Sequence, residues 1–367
     1  MILLSSIISE FKDQFYAKYK TTIMPGHKKA LQAMERCRQE HGLFMLARCS
    51  DRNCGCQTYI PHSCGHRNCP HCQNHESHQW IDNQLGKLVP AQYYLITFTL
   101  AKQLRDLAWK NQKKIYSLMF VCVKDVLKTF AQNDKKLQGT AGFTAILHTH
   151  SRELGYHPHI HVVMPGASIN PKTGLWRAKS SDYLFSHKAL AKVFRAKFLE
   201  AIVAKKLRVP KNCPKKWVVD CKNVGKGDKA LIYLGKYLYR GVIQEKDILK
   251  SENGMVTFRY LNSKTKRYQT KTVTGEYFLY LLMLHVLPKG FRRARDYGFL
   301  HPCSKKLISM LQLILRVKPF HALKQMKKRP GIVCPACGAK MKIILTMIMK
   351  PPERRHHITL KKGEFAM

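Results

Sequence analysis

Seven potential metal ligands crowd into 24 residues of this chain: Cys49, Cys54, Cys56, Cys64, His66, Cys69 and Cys72, with Cys37 and His41 just upstream. Residues 37–78 are also rich in Asn and Gly, so the segment is expected to fold around metal. Cys69-x-x-Cys72 places two thiolates on one turn, where they converge on a tetrahedral zinc at about 2.3 Å. The second pair is drawn from Cys49, Cys54 and Cys56, and Cys49 with Cys54 is the preferred choice. The gap from Cys49 to Cys54 is wider than usual, which leaves the selection within that trio open. Cys64 and His66 are alternates that, with Cys37 and His41, could hold another ion. Near the other end, "CPACG" supplies Cys334 and Cys337, half of a possible second zinc site. Its candidate partners are Cys303, His321, His356 and His357.

The charge balance points to a polyanion. Sixty-five Lys and Arg against 22 Asp and Glu give a formal +43 over 367 residues. Basic runs such as "KKWVVDCKNVGKGDK" and "GFRRAR" are spread along the chain, so a folded basic surface is expected in place of a basic tail. DNA is the expected partner, with ribosomal or membrane-surface binding as the plainer alternative. The apolar runs "YFLYLLML" and "IILTMIM" are far shorter than the ~20 residues of a helical span. "MILLSSIISEF" lacks the basic start and cleavage site of a signal peptide, so a cytoplasmic protein with reduced cysteines is expected. "GKGDK" lacks Walker spacing and gives no support for a nucleotide cofactor.

Periodicity predicts helices in "SIISEFKDQFYAKY" and "HKKALQAMER", then over 76–88, 103–133, 187–207, 228–240 and 275–286. Strands are predicted at 92–100, 142–150, 157–164, in "KWVVD", and at 255–262 and 267–274 around the turn "NSKTK". The plan is α+β: an antiparallel sheet flanked by helices.

Within the strand "HPHIHVVM", His157, His159 and His161 share one face, because strand side chains alternate. A His-Ile-His pair can offer two nitrogens to a divalent cation, although such pairs are often merely solvent-facing. In "ALIYLGKYLYR", Tyr233 and Tyr237 lie one helical turn apart on one face, whereas Tyr239 points about 200° away from Tyr237. Taken alone, that pair reads as a core aromatic stripe. Taken together, the two features have a chemical logic. A tyrosine hydroxyl can attack a phosphodiester while a histidine-bound cation stabilises the phosphate, and the covalent intermediate stores the bond energy without ATP.

Here the chain resembles the HUH nucleases (His-hydrophobic-His) and, more narrowly, the two-tyrosine rolling-circle transposases of the insertion-sequence-91 family. The resemblance runs in order through "SCGHRNCPHCQ", "LITFTL", "LHTHSRELGYHPHIHVVMPG", "YLGKYLYR", "FRYLNSKTKR", "HVLPKGFRRARDYGFL" and "CPACGAKM". It implies an HUH core with a ferredoxin-like sheet, an N-terminal zinc-binding module and a small C-terminal zinc-ribbon-like segment. It implies a transposase that nicks single-stranded or hairpin element ends and joins itself to the 5′ phosphate. His159 and His161 match the metal-binding pair, for Mg²⁺ or Mn²⁺, and Tyr233 and Tyr237 match the nucleophiles. His148 is the candidate third ligand and His157 a supporting residue. His150 stands where the family pattern has an aromatic residue. Lys236, Arg240, Arg292 and Arg293 are the expected DNA contacts. The expected divisions are 1–88 zinc-binding, 89–250 catalytic, 251–330 a basic hairpin and helical extension, and 331–367 ribbon and tail. A replication initiator or relaxase of the same chemistry, and a non-catalytic zinc DNA-binding protein, are the alternatives.

Overall fold

The computed structural model describes residues 2–39, 43–170, 172–239, 241–262, 265–317 and 331–347. The chain opens with α1 (Leu4–Tyr19) and α2 (Pro25–Glu35). They pack through one face each, with Ile7, Ile8, Phe11 and Phe15 of α1 and Ala30, Leu31 and Met34 of α2 buried. An unforeseen hairpin follows, β1 (Phe44–Cys49) and β2 (Gln57–Pro61), and then α3 (Asn74–Leu85). Next come β3 (Tyr93–Thr99), a short α4 (Arg105–Lys110) and the long α5 (Gln112–Asn133). Asn111, at φ −130° and ψ 40°, interrupts the helix expected to run unbroken from 103 to 133.

β4 (Thr140–Ala141), β5 (Phe143–His150) and β6 (Tyr156–Pro165) lead to β7 (Ala167–Ile169) and β8 (Trp176–Ala178), which form a small sheet with β4. After α6 (His187–Ala204) come β9 (Val219–Asn223) and α7 (Asp228–Tyr239). The strand expected at "KWVVD" starts later because Trp217 packs against Phe194 and Phe198 of α6 before the chain extends. β10 (Ile248–Glu252), β11 (Met255–Leu261) and β12 (Tyr268–Thr274) form a separate antiparallel sheet. Then follow α8 (Gly275–Met283), β13 (Ala294–Tyr297), α9 (Lys305–Ile314) and β14 (Met341–Met347). Among the described residues no helix is long and apolar enough to cross a membrane.

The fold mixes helices with antiparallel sheets. Its main sheet has the order β13-β5-β6-β3-β9. Alternation along the strands divides its side chains between two layers. Tyr94, Ile96 and Phe98 of β3, Ala145 and Leu147 of β5, and Ile160, Val162 and Met164 of β6 join one core with α5 and α6. Tyr93, Ile146 and Val163 face the other way, into a core shared with α3 and α7. The odd-numbered row of β6 thus runs Val163, His161, His159, changing from core to imidazole along one face.

The late segments are not free-standing. β13 forms the edge of the main sheet beside β5, and Asp296 there accepts from Thr144 Oγ1 at 2.7 Å and Lys87 Nζ at 2.6 Å. α8 packs on α1, with Tyr19 stacked on Tyr280 at 4.4 Å. β14 pairs with β1, placing the expected C-terminal ribbon on the N-terminal hairpin.

Helix α7 lies against α3 so closely that only glycine fits between them. A Cβ at Gly235 would sit 2.3 Å from Ile81 Cγ1, and Ser77 Oγ donates to the Gly235 carbonyl at 3.0 Å. Just past the helix, a Cβ at Gly241 would lie 2.5 Å from the Asn68 carbonyl oxygen, in the loop carrying Cys69. Gly235→Ala should therefore cost about 1–3 kcal/mol through overpacking. Ile81→Ala in the same chain should recover part of that loss, because it removes the clashing atoms. Urea unfolding of the two single variants and the double variant measures the coupling; strictly additive losses would disprove this account of the contact.

Candidate functional site

β5 and β6 pair with His148 opposite His159, and β3 pairs with β6 so that Thr97 stands opposite His161. This register brings His148, His159 and His161 together, with their nearest ring nitrogens within 4.8 Å of one another. Each is held differently. His159 Nδ1 lies 2.6 Å from the His157 carbonyl, which only accepts, so Nδ1 donates and Nε2 keeps a free lone pair. His161 Nδ1 pairs with Thr97 Oγ1 at 2.9 Å, and His148 Nε2 is buried without a hydrogen-bond partner. Burial, reinforced by the neighbouring imidazoles, holds His159 down to about 3 and His161 to about 4, and depresses His148 as well. All three are therefore neutral at physiological pH, the form in which imidazole binds metal. Three neutral nitrogens converging from two rigid strands, one of them orphaned, fit a divalent cation and would leave its other positions open.

The remaining histidines of the region sort themselves. His157 gives its carbonyl to His159 and its Nδ1 to Arg105, outside the cluster. His150 stacks on His148 at 6.1 Å and faces His285 at 5.4 Å without joining the three converging nitrogens.

Tyr233 and Tyr237 project from α7 while Leu231, Leu234 and Leu238 bury the helix. Their rings lie 4.6 Å apart, and both are partly exposed. Tyr237 is the nearer to the imidazoles, 6.2 Å from the His148 ring. Partial burial and Tyr237 together push the Tyr233 hydroxyl up to about 12. Tyr239, on another face, is half-buried.

Arg293 holds the two halves in place. Its Nε donates to the carbonyl of Leu147, beside His148, at 3.2 Å, and its Nη1 to the carbonyl of Leu238, beside Tyr237, at 3.0 Å. The expected DNA contact is corrected accordingly, because this guanidinium is spent inside the protein. Lys236 and Arg292 are exposed, and Arg240 lies outside the described residues.

The cysteines converge in two groups of four. In the first, Cys37 Sγ lies 3.6 Å from Cys72 Sγ and 3.5 Å from Cys69 Sγ, and Cys64 Sγ lies 3.6 Å from Cys72 Sγ. Four sulfurs at about 2.3 Å from one tetrahedral ion would stand ~3.8 Å apart, close to these separations and far from the ~2.05 Å of a disulfide. Hydrogen bonds from the Cys64 and Cys69 thiols lower Cys37 to about 7, and those from Cys37, Cys64 and Cys69 hold Cys72 lower still. In the second group Cys49 Sγ lies 3.4 Å from Cys337 Sγ, and Cys54 Sγ lies 3.7 Å from Cys334 Sγ.

The expected site of Cys49, Cys54, Cys69 and Cys72 is thus replaced. The hairpin β1–β2 carries Cys49 and Cys54 to β14, whereas α2 brings Cys37 to the turn holding Cys64, Cys69 and Cys72. His66 lies outside the converging four, and its Nδ1 accepts from Asn68 N at 3.3 Å. Cys56 lies beside the second group with its thiol toward the Gln57 carbonyl, outside the converging four. His41, His321, His356 and His357 lie outside the described residues, and Cys303 belongs to neither group.

The similarities to known proteins follow the same division. Residues 7–100 match a transposase zinc-binding domain, and residues 142–307 match a family of putative transposases. A putative transposase, y4qJ, of Sinorhizobium fredii is 30% identical over 308 residues, spanning 78% of this chain and 77% of its own length. The transposase for insertion sequence element IS801 of Pseudomonas savastanoi pv. phaseolicola is 25% identical over 295 residues, spanning 74% and 70%. This chain, with its cysteine clusters suited to structural zinc, belongs to the insertion-sequence-91 family of transposases.

Proposed function

We propose that this protein is a two-tyrosine HUH transposase, which cuts and rejoins single-stranded or hairpin DNA at element ends through 5′-phosphotyrosine linkages. The observation that carries the reading is the approach of Tyr237 to the three imidazoles from an element other than the strands that bear them. The chain order β3-α5-β5-β6-α6-β9, with sheet order β5-β6-β3-β9, supports a ferredoxin-like nuclease core.

His148, His159 and His161 would hold one divalent cation, Mg²⁺ or Mn²⁺; all-nitrogen ligation suits the softer Mn²⁺ better. When bound, it supplies Lewis-acid stabilisation of the scissile phosphate. The chain's own groups do the rest. The Tyr237 phenol, its proton passing to solvent, attacks phosphorus in line. The phosphorus–O3′ bond breaks and the 3′ oxygen leaves, taking up a proton as a free hydroxyl. Tyr233, one turn away, can receive a second strand while the first stays attached. Exposed Lys236 between the tyrosines, and Arg292, would meet DNA phosphates.

Incubation of a 3′-labelled single strand carrying the element end with Mn²⁺ tests this directly, because the label then stays on the fragment joined to the protein. Wild type should form a protein–DNA adduct, Tyr237→Phe should lose most of the first cleavage, and the double variant with Tyr233→Phe should form none. Undiminished adduct in the double variant refutes the nucleophile assignment.

Arg293 separates positioning from DNA contact. Arg293→Lys keeps the charge but not the two-carbonyl fork, so adduct formation should fall by roughly 10- to 100-fold through misplacement. DNA affinity and its salt dependence should stay unchanged in the same variant, whereas a lost phosphate contact from Arg293→Gln would lower the salt slope by about one. A shallower slope in Arg293→Gln, with a normal cleavage rate in Arg293→Lys, would restore it as a DNA contact.

A further inference from the structure

We infer that the chain binds two zinc ions, and that the second is held at a site split between its ends, by Cys49 and Cys54 from one hairpin and Cys334 and Cys337 from the other. The similarity to a zinc-binding domain stops at residue 100 and the similarity to putative transposases at residue 307, so neither reaches the second half of this site.

Three observations carry it. The first is the sulfur geometry: separations of 3.4 and 3.7 Å across the chain termini suit a shared ion with Zn–S bonds near about 2.3 Å. The second is the matching backbone of its two arms. Cys54 precedes Gly55 at φ +61° and Cys337 precedes Gly338 at φ +74°, so each arm turns through a left-handed glycine just after its second thiol. Asp51 N also points at Cys49 Sγ, at 3.4 Å, as backbone amides do around bound thiolates.

The third is energetic. Among the described residues, the buried apolar cluster around this site consists of Ala47, Cys49, Cys334 and Met341, with Cys54, Cys56, Ile60, Ile332 and Ala339 partly buried against it. Beyond Met341, strand β14 leaves Ile343, Ile344 and Leu345 about half exposed. A three-stranded ribbon with so little core is marginal on its backbone ladder. A metal crosslink supplies what the core lacks and fixes β14 to β1.

The two ions should differ in how readily they exchange. Each group has buried thiols and one half-buried thiol, Cys64 in the first and Cys54 in the second. The fourth ligand of the split site, Cys337, is exposed, whereas Cys37, Cys69 and Cys72 are all buried within a large apolar cluster. A chelator therefore reaches the split site more readily, through the exposed Cys337, than the first. Four thiolates also suit iron, so the metal must be identified as well as counted.

Elemental analysis of the purified full chain, followed by zinc release to EDTA with a colorimetric zinc indicator, tests the inference without reference to cleavage. Wild type should carry two zinc ions and release them in two phases. Cys334→Ser with Cys337→Ser, and independently Cys49→Ser, should each leave one zinc and abolish the fast phase. Cys303→Ser, at an exposed cysteine outside both groups, should change neither count nor kinetics. Cobalt substitution gives a second readout: the thiolate-to-cobalt absorption should drop by about half in the same variants, even where the ribbon loosens. One zinc in wild type, two in the Cys334/Cys337 variant, iron at the split site, or a single release phase in wild type would each overturn the proposal.

Discussion

The seating of α7 on α3, with the chain just past α7 resting on the loop that carries Cys69, is the contact on which the rest of the structure depends. Its interior glycine, Gly235, lets Ile81 of α3 approach to a distance no other residue permits, and Gly241 rests on the Asn68 carbonyl between Cys64 and Cys69. Helix α3 and the loop that carries Cys69 therefore set the ground on which Tyr233 and Tyr237 stand. From the opposite side Arg293 bonds the backbone of the tyrosine helix to that of the histidine strand. Distortion at the cysteines, at α3 or at Arg293 would all reach the same 6.2 Å separation between Tyr237 and His148. On the proposed chemistry, a cysteine cluster remote in sequence would thus help to hold the tyrosines to the imidazoles.

What was legible in the residues was whatever depended on local periodicity. His159 and His161 share a strand face and Tyr233 and Tyr237 a helix face because periods of two and 3.6 residues require it. The main helices and central strands followed for the same reason. The third imidazole, His148, depended on the register between β5 and β6, which no local pattern specifies.

The zinc pairing failed for a related reason. Cys69-x-x-Cys72 and Cys334-x-x-Cys337 each signal a turn, but a turn supplies two ligands and does not name the other two. Cys54 and Cys334 are 280 residues apart, and only the pairing of β14 with β1 unites them. A direct hint lay in the count of half-sites: two C-x-x-C turns, one at each end, ask for two further pairs. Arg293 was misread because basic composition looks alike on a surface and in an internal clamp. The carbonyls of Leu147 and Leu238 that it bonds, which decide its role, are brought together by the tertiary structure alone.

The same packing bears on how two nucleophiles would share one metal site. Residues four apart on a helix differ by about 6 Å along its axis and about 40° around it. Tyr237 sits beside His148 and Tyr233 a turn further away, so a single phosphate cannot present itself equally to both. Either the helix slides by a turn or the DNA moves. Sliding would carry Gly235 off Ile81 and push Leu231 or Tyr239 into a space only a hydrogen atom fills, while breaking the Arg293 bond to Leu238. The protein scaffold is built against that motion. On the proposed chemistry, then, the two tyrosines act in turn because the bound strand shifts along a fixed helix, and their order follows from their distance to the imidazoles.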